Sequence, residues 1–222
     1  MNKKVCVCTI IAKNYYPRAE IFAKSYKQSH PNHDVFVLFI EDSVIPSQYY
    51  KAVCLSDLKF VKNIKSLLFK YNLVEFSTAI KPFFLEYLIE KENSDIILYM
   101  DPDIYVFKPL DLIFEKLEKY DIALTPHITG PVDNKNPNES DIMAHGYYNL
   151  GFVGFSISEK TKKFIKWWQL KTYDFCYVDV ENNMFTDQKW MDFAPCYLNS
   201  YIVQEKGYNV AYWNLSEYIG KV

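Results

Sequence analysis

Long runs of basic residues are missing from this sequence. Its 222 residues carry 25 Lys and Arg against 27 Asp and Glu, a formal net charge of −2. Binding a nucleic-acid backbone needs a concentrated Lys/Arg surface, so a nucleic-acid partner is disfavoured. No stretch is apolar for long enough to span a bilayer. Val5–Ala12, the apolar run nearest the N-terminus, is too short for a secretory leader and leads straight into polar residues. The expected location is therefore cytoplasmic, with peripheral work at the inner face of the membrane left open. Cysteine pairs at zinc-ligand spacing are also lacking. Cys6, Cys8, Cys54, Cys176 and Cys196 are odd in number and irregularly spaced, which points to buried free thiols in a reducing compartment. Glycine is scarce, and none occurs in Ile11-Ala12-Lys13-Asn14, where a phosphate-cradling Gly-rich loop would follow the first strand. There is no internal repeat, low-complexity tract or clear linker.

Half of the residues are apolar and 18% are aromatic. That is an ordinary globular composition, with a length that suits one compact domain. Surface tyrosines suit stacking on sugars or bases, but a compositional bias explains their number equally well.

Strands are expected at Val5–Ile11, Val35–Ile40 and Asp95–Met100, each a continuous apolar run. Helical spacing recurs at 17–29, 46–52, 62–71 and 76–91, the last with Ser77 or Thr78 as N-cap and Pro82 early enough to be tolerated. Alternating strands and helices argue for a parallel sheet covered on both faces. In the second half, Asp121–Thr125 and Tyr148–Ile157 read as strands, 159–173 as a helix, Thr186–Phe193 as one or two helical turns, and Tyr208–Trp213 as a final strand. The Pro/Asn/Asp/Gly-rich stretch 126–146 is a long loop of the kind that is functional or mobile.

Ile96-Ile97-Leu98-Tyr99-Met100 runs directly into Asp101-Pro102-Asp103. In extended backbone, residues two apart point the same way. Two carboxylates are thus expected together at the C-terminal end of a parallel strand, where open α/β sheets bind ligands. Such a pair suits Mg²⁺ or Mn²⁺ shared with a diphosphate. Asp-Pro-Asp is also good turn chemistry. A phosphatase with a nucleophilic first Asp is a poor alternative, because Ile104-Tyr105 follow and two strand-helix units precede.

These residues resemble the GT-A fold of glycosyltransferases, in particular bacterial sugar transferases related to glycosyltransferase family 8. The likeness rests on Ala12-Lys13-Asn14-Tyr15, Thr78-Ala79-Ile80-Lys81-Pro82-Phe83, Tyr99-Met100-Asp101-Pro102-Asp103, Tyr148-Asn149-Leu150-Gly151-Phe152, Thr186-Asp187-Gln188-Lys189-Trp190 and Asn209-Val210-Ala211-Tyr212-Trp213-Asn214-Leu215, in that order. It implies one domain with a nucleotide-binding half (1–110) and a donor-sugar/acceptor half (111–222). It implies a nucleotide-sugar donor, UDP-linked, and a glycan, lipid-linked or protein acceptor.

By the same resemblance, Thr9, Asn14 and Tyr15 line the base pocket, and Lys81 lies near the metal and diphosphate. Asp101 and Asp103 bind Mn²⁺ or Mg²⁺, with Asp101 also on the nucleotide side. Asn149 and Gly151 hold the donor sugar. Asp187 and Gln188 form the catalytic pair, Asp187 as base in an inverting enzyme or Gln188 facing the sugar in a retaining one, with the likeness favouring retention. Simpler readings stand beside these: Tyr15 covering the start of a helix, Lys81 as an exposed lysine, Gly151 and Gly154 at a bulge, and Thr186 as a helix cap. His30 and His33 read as surface residues. The metal-binding histidine that family 8 places after its last strand has no counterpart in these residues, so His127, His145 or water is expected to fill that position. The alternatives to a transferase are a binding module with weak or no transfer activity, and a sugar nucleotidyltransferase, which the glycine-free first loop disfavours.

Overall fold

The computed structural model describes residues 3–61, 63–131 and 137–215. Its strands are β1 (Val5–Ile11), β2 (Asp34–Phe39), β3 (Lys51–Cys54), β4 (Ile96–Met100), β5 (Ile122–Pro126), β6 (Tyr148–Ser156), β7 (Val178–Asp179), β8 (Met184–Phe185) and β9 (Ser200–Ile202). The helices are α1 (Tyr16–Ser29), α2 (Ile64–Lys70), α3 (Leu73–Ala79), α4 (Lys81–Glu92), α5 (Asp111–Lys116), α6 (Glu139–His145), α7 (Glu159–Asp174) and α8 (Ala194–Tyr197). A seven-stranded sheet has the order β3-β2-β1-β4-β6-β5-β9, and β7 and β8 form a separate short hairpin-like pair. The sheet is mostly parallel, as expected; β6 alone runs antiparallel to its neighbours, between β4 and β5.

The apolar runs become strands because both sheet faces are covered. Cys6, Cys8, Ile10, Ile97 and Tyr99 face a core built with Phe84 and Leu88 of α4 and Phe164 and Trp168 of α7. Val7, Ile11, Leu98 and Met100 face a second core with Phe22 and Tyr26 of α1 and Ile113 of α5. Gly154 sits opposite Leu98, and a Cβ there would lie 2.7 Å from Leu98 Cδ2 and 3.0 Å from Leu117 Cδ1. Leucine packing fills the space that this glycine leaves.

Four expectations are corrected. Residues 46–52 are not helical: Lys51–Cys54 extends and pairs with β2, and sheet hydrogen bonds outweigh a weak helical pattern too short to nucleate. The helix expected at 76–91 is two, α3 and α4, meeting at Ile80, because Pro82 cannot donate into a continuous helix. The cap is Asn72, whose Oδ1 accepts from the Val74 and Glu75 N–H groups while Glu75 returns to the Asn72 N–H. The hydroxyls of Ser77 and Thr78 instead donate back to carbonyls within α3. Tyr208–Trp213 is no strand: Gly207 and Asn209 have φ of +98° and +49°, which extended pairing does not allow.

The thiols divide by depth. Burial pushes the Cys6 thiol up to about 12 and those of Cys8 and Cys176 well above the usual range. Cys54 is half-buried and Cys196 is exposed, so the expectation of uniformly buried thiols is corrected at these two. A thiol reagent at pH 8 is expected to modify Cys196 first and to reach Cys6, Cys8 and Cys176 only in denaturant. Rapid reaction of all five in the native protein would contradict this packing.

Candidate active site

β4 ends at Met100, and the next four residues turn. The Ile104 N–H donates to the Asp101 carbonyl at 3.2 Å, the geometry that Asp-Pro-Asp favours. The two carboxylates are therefore not aligned by strand alternation, as the sequence suggested, because the chain leaves the extended form before Asp103. The turn still brings Asp103 to the same cavity as Asp101, a space of about 800 Å³ at the C-terminal end of β4. Asp101 is half-buried and Asp103 exposed. Asp101 Oδ1 accepts from the Tyr99 hydroxyl at 2.9 Å, and its N–H donates to the Gly151 carbonyl at 2.8 Å.

Gly151 forms a floor beneath the carboxylate. A Cβ there would stand 3.0 Å from Asp101 Oδ2 and 3.1 Å from the Oδ1 atoms of Asn149 and Asn209. Asn149 Oδ1 accepts the Gly151 N–H at 2.8 Å, and Asn149 lines the cavity beside Asp101 and Asp103. Glycine is needed because any side chain would press on three oxygens at once. Gly151→Ala is expected to weaken ligand binding at least tenfold (about 1.4 kcal/mol) by displacing Asp101. Calorimetric titration with a nucleoside diphosphate checks this, and unchanged affinity would refute it.

Behind the cavity lies a buried ion pair. Lys81 begins α4, and its Nζ lies 2.7 Å from Asp187 Oδ2, with the side chains 3% and 2% exposed. The same ammonium donates to the Leu150 carbonyl at 3.1 Å and sits 4.2 Å from the centre of the Tyr99 ring. Burial pushes the carboxyls of Asp101 and Asp187 up, and Lys81 pulls both back. Lys81 is thus not an exposed helix lysine. It does not line the cavity, and it meets Asp101 through its field and through Tyr99. Gln188 is held at both ends of its amide, with Nε2 donating to the His145 carbonyl at 2.9 Å and Oε1 accepting the Leu150 N–H at 3.4 Å. The 3₁₀ turn that follows, Lys189–Phe193, starts from Gln188, and the Thr186 hydroxyl donates to Asp187 Oδ1 at 3.3 Å, so Thr186 does not cap a helix.

The proposed base-pocket residues stand to one side and do not line this cavity. Thr9 is fully buried and its hydroxyl has no hydrogen-bond partner among the described residues. Asn14 and Tyr15 occupy the short 3₁₀ turn after β1 and are exposed. They connect to the carboxylates through Arg18, the chain's one arginine, whose guanidinium lies 4.8 Å from the Tyr15 ring centre and 3.9 Å from Asp103 Oδ2. Sequence reasoning passed over Arg18; its uniqueness was the available signal. An exposed pair at that distance is weak, so Arg18→Ala is expected to leave thermal stability unchanged while altering cation affinity at Asp103. A titration of Mn²⁺ affinity would show it, and identical curves would rule out the contact.

Ser25 of α1 and His30, the residue just past its end, hold the cavity wall at 104–110. Ser25 Oγ accepts the Val106 N–H at 3.1 Å, and His30 Nε2 accepts the Leu110 N–H at 2.9 Å. His30 is buried and stacks on His33 at 5.0 Å with Phe114 edge-on to both, so neither is a plain surface residue. Desolvation lowers the His30 and His33 imidazoles below their ordinary value. The unfolded chain then binds more protons just below pH 6.5, so stability is full above that value and falls with acid. The expected observation is a melting temperature that drops between pH 7 and 5, less so in His30→Gln. An unchanged slope in that variant would exclude the effect.

His127 packs edge-on against Trp213 at 5.5 Å and His145 against Phe185 at 4.5 Å. Among the described residues no third His, Cys, Asp or Glu joins Asp101 and Asp103. The donor set, two carboxylates open to a cavity, fits a hard divalent cation whose remaining positions go to substrate oxygens and water.

No protein-family model matches the sequence. No curated protein matches it either. The structural likeness is of another order: galactosyltransferase LgtC, solved in complex with donor and acceptor sugar analogs, superposes with a TM-score of 0.52 over 89% of this chain and 73% of its own, at 13% identity. The fold is GT-A. An active-site glutamine-to-glutamate mutant of LgtC agrees, at TM-score 0.51, 15% identity, and 89% and 72% coverage. So does GlyE of Streptococcus pneumoniae TIGR4, with TM-score 0.54 and 15% identity over 91% of this chain and 46% of GlyE. A glycosyltransferase involved in glycosylating the major capsid of PBCV-1 matches at TM-score 0.52 and 10% identity, over 90% and 80% of the two chains. In this GT-A chain no helix among the described residues is long and apolar enough to cross a membrane.

Proposed function

We propose that the chain is a glycosyltransferase related to family 8, moving a sugar from a nucleotide diphosphate donor, UDP-linked, to a glycan, lipid-linked or protein acceptor. The observation that carries this reading is Asp101 and Asp103 lining one cavity at the C-terminal end of β4 in a GT-A fold. Mn²⁺ or Mg²⁺ held by the two carboxylates would offset the charge on the departing diphosphate. Asn14 and Tyr15 take the base on the Arg18 side, where an aromatic face suits a flat pyrimidine; Thr9, fully buried, does not reach it. Lys81 adds positive field beneath Asp101. Asn149, with Oδ1 fixed by Gly151, turns its amide donors to a sugar hydroxyl. α6 and the described residues on either side of it, 126–131 and 137–146, form the acceptor side.

Asp187 is paired to Lys81 and 1% exposed, a poor arrangement for taking the acceptor's proton. This favours the retaining course, in which Gln188 faces the sugar; the same burial keeps Asp187 from the sugar's hydroxyls, so its part is to fix Lys81. LgtC has an active-site glutamine, and Gln188 is the counterpart proposed here. Donor hydrolysis without acceptor, screened across nucleotide sugars with Mn²⁺, tests the assignment. Slow release of nucleoside diphosphate from one donor is expected. Binding without turnover would favour a binding module, and neither binding nor turnover would refute the reading.

A further inference from the structure

The cavity holds a third protein oxygen beside the two aspartates. Asn209 lies in the segment 206–211, which lines the cavity together with Asp101 and Asp103. Its Nδ2 donates at 3.1 Å to Thr125 Oγ1 and at 3.1 Å to the Asn149 carbonyl. A carbonyl only accepts, and the Thr125 hydroxyl already donates to the carbonyls of Asn149 and Phe152. Both neighbours therefore demand an N–H, which fixes the amide orientation on chemical grounds. Oδ1 is left on the other side, within 3.1 Å of the point over Gly151 that is 3.0 Å from Asp101 Oδ2. No donor among the described residues reaches it.

The backbone is built for this placement. Asn209 adopts φ of +49°, a left-handed conformation that Asn tolerates better than most residues. Asn214 clamps the turn, with Oδ1 accepting the Ala211 N–H at 2.9 Å and Nδ2 donating to the Asn209 carbonyl at 3.4 Å. An amide oxygen with no donor, facing the same point over Gly151 as a carboxylate oxygen, is a hard ligand pair of the kind that Mg²⁺ and Mn²⁺ take.

We propose that Asn209 Oδ1 is a protein ligand, with Asp101 and Asp103, of the divalent cation; this rests on the metal-dependent reading above. An oxygen in place of an imidazole makes the site prefer hard cations. The test is Mn²⁺ affinity in the presence of UDP, read by electron paramagnetic resonance of free Mn²⁺. Asn209→Ala is expected to weaken binding at least about tenfold, while His127→Ala and His145→Ala stay within twofold.

Because Asn209→Ala also removes the Nδ2 bonds, Asn209→His is the second variant, since His too accepts the left-handed conformation. It should shift preference from Mn²⁺ towards Zn²⁺ and introduce imidazole nitrogen coupling in the Mn²⁺ pulsed spectrum. A merely structural asparagine would do neither. Wild-type affinity in Asn209→Ala, or a tenfold loss in either histidine variant, overturns the inference. If Asp103→Ala is equally silent, the metal reading itself falls.

Discussion

Replacing Lys81 with Met is expected to destabilise the protein by about 3–5 kcal/mol, because it strands a buried carboxylate. Asp187 is 1% exposed and its partner ammonium stands 2.7 Å away, so nothing else can compensate that charge cheaply. The variant should melt roughly 10 °C lower, given about 2–4 °C per kcal/mol at this chain length. Lys81→Met combined with Asp187→Leu should recover much of the loss, since a buried ion pair replaced as a unit by apolar groups is often neutral. Urea denaturation of the single and double variants measures both. A single variant within about 0.5 kcal/mol of wild type would mean that the pair is not formed. The double variant, stable but stripped of both charges, should lose donor turnover, which separates their structural role from their chemical one.

Asp103→Ala should do the reverse. Asp103 is exposed and its one ion pair among the described residues is the 3.9 Å contact to Arg18, so stability should stay within about 0.5 kcal/mol of wild type. Nucleotide affinity in the presence of Mn²⁺ should fall at least about 100-fold, as losing several kcal/mol of charge stabilisation requires. Asp101→Asn should match it, because an amide oxygen keeps the Tyr99 hydroxyl bond but not the charge. Binding and melting measured on the same samples decide the matter. A variant that unfolds, or that binds normally, would assign Asp103 no part in the site.

Much of this arrangement was legible in the chain. Continuous apolar runs placed β1, β2 and β4, since a strand covered on both faces has no polar side to show. A strand running into two acids located the cavity, and Asn149 two residues before a glycine marked its floor. What local pattern hides is what depends on distant partners. Lys81 and Asp187 lie more than a hundred residues apart, so nothing beside Lys81 announces that it will be buried. His30 is buried because Phe114 of α5 closes over it, and helix-end spacing in α1 carries no trace of that. The turn at Asp101–Ile104 and the left-handed Asn209 break strand periodicity at the functional edge, where a two-residue repeat is least reliable. For Asn209 the apolar letters of Tyr208–Trp213 pointed to a strand, while its backbone serves to aim an amide.

The central claim is that Asp101 and Asp103 bind a nucleoside diphosphate through a divalent cation. Calorimetric titration of UDP into the protein, once with Mn²⁺ and once with EDTA, tests it most directly. Saturable binding with Mn²⁺ and none with EDTA is the predicted result. Equal heats in both, or no binding in either, would contradict it.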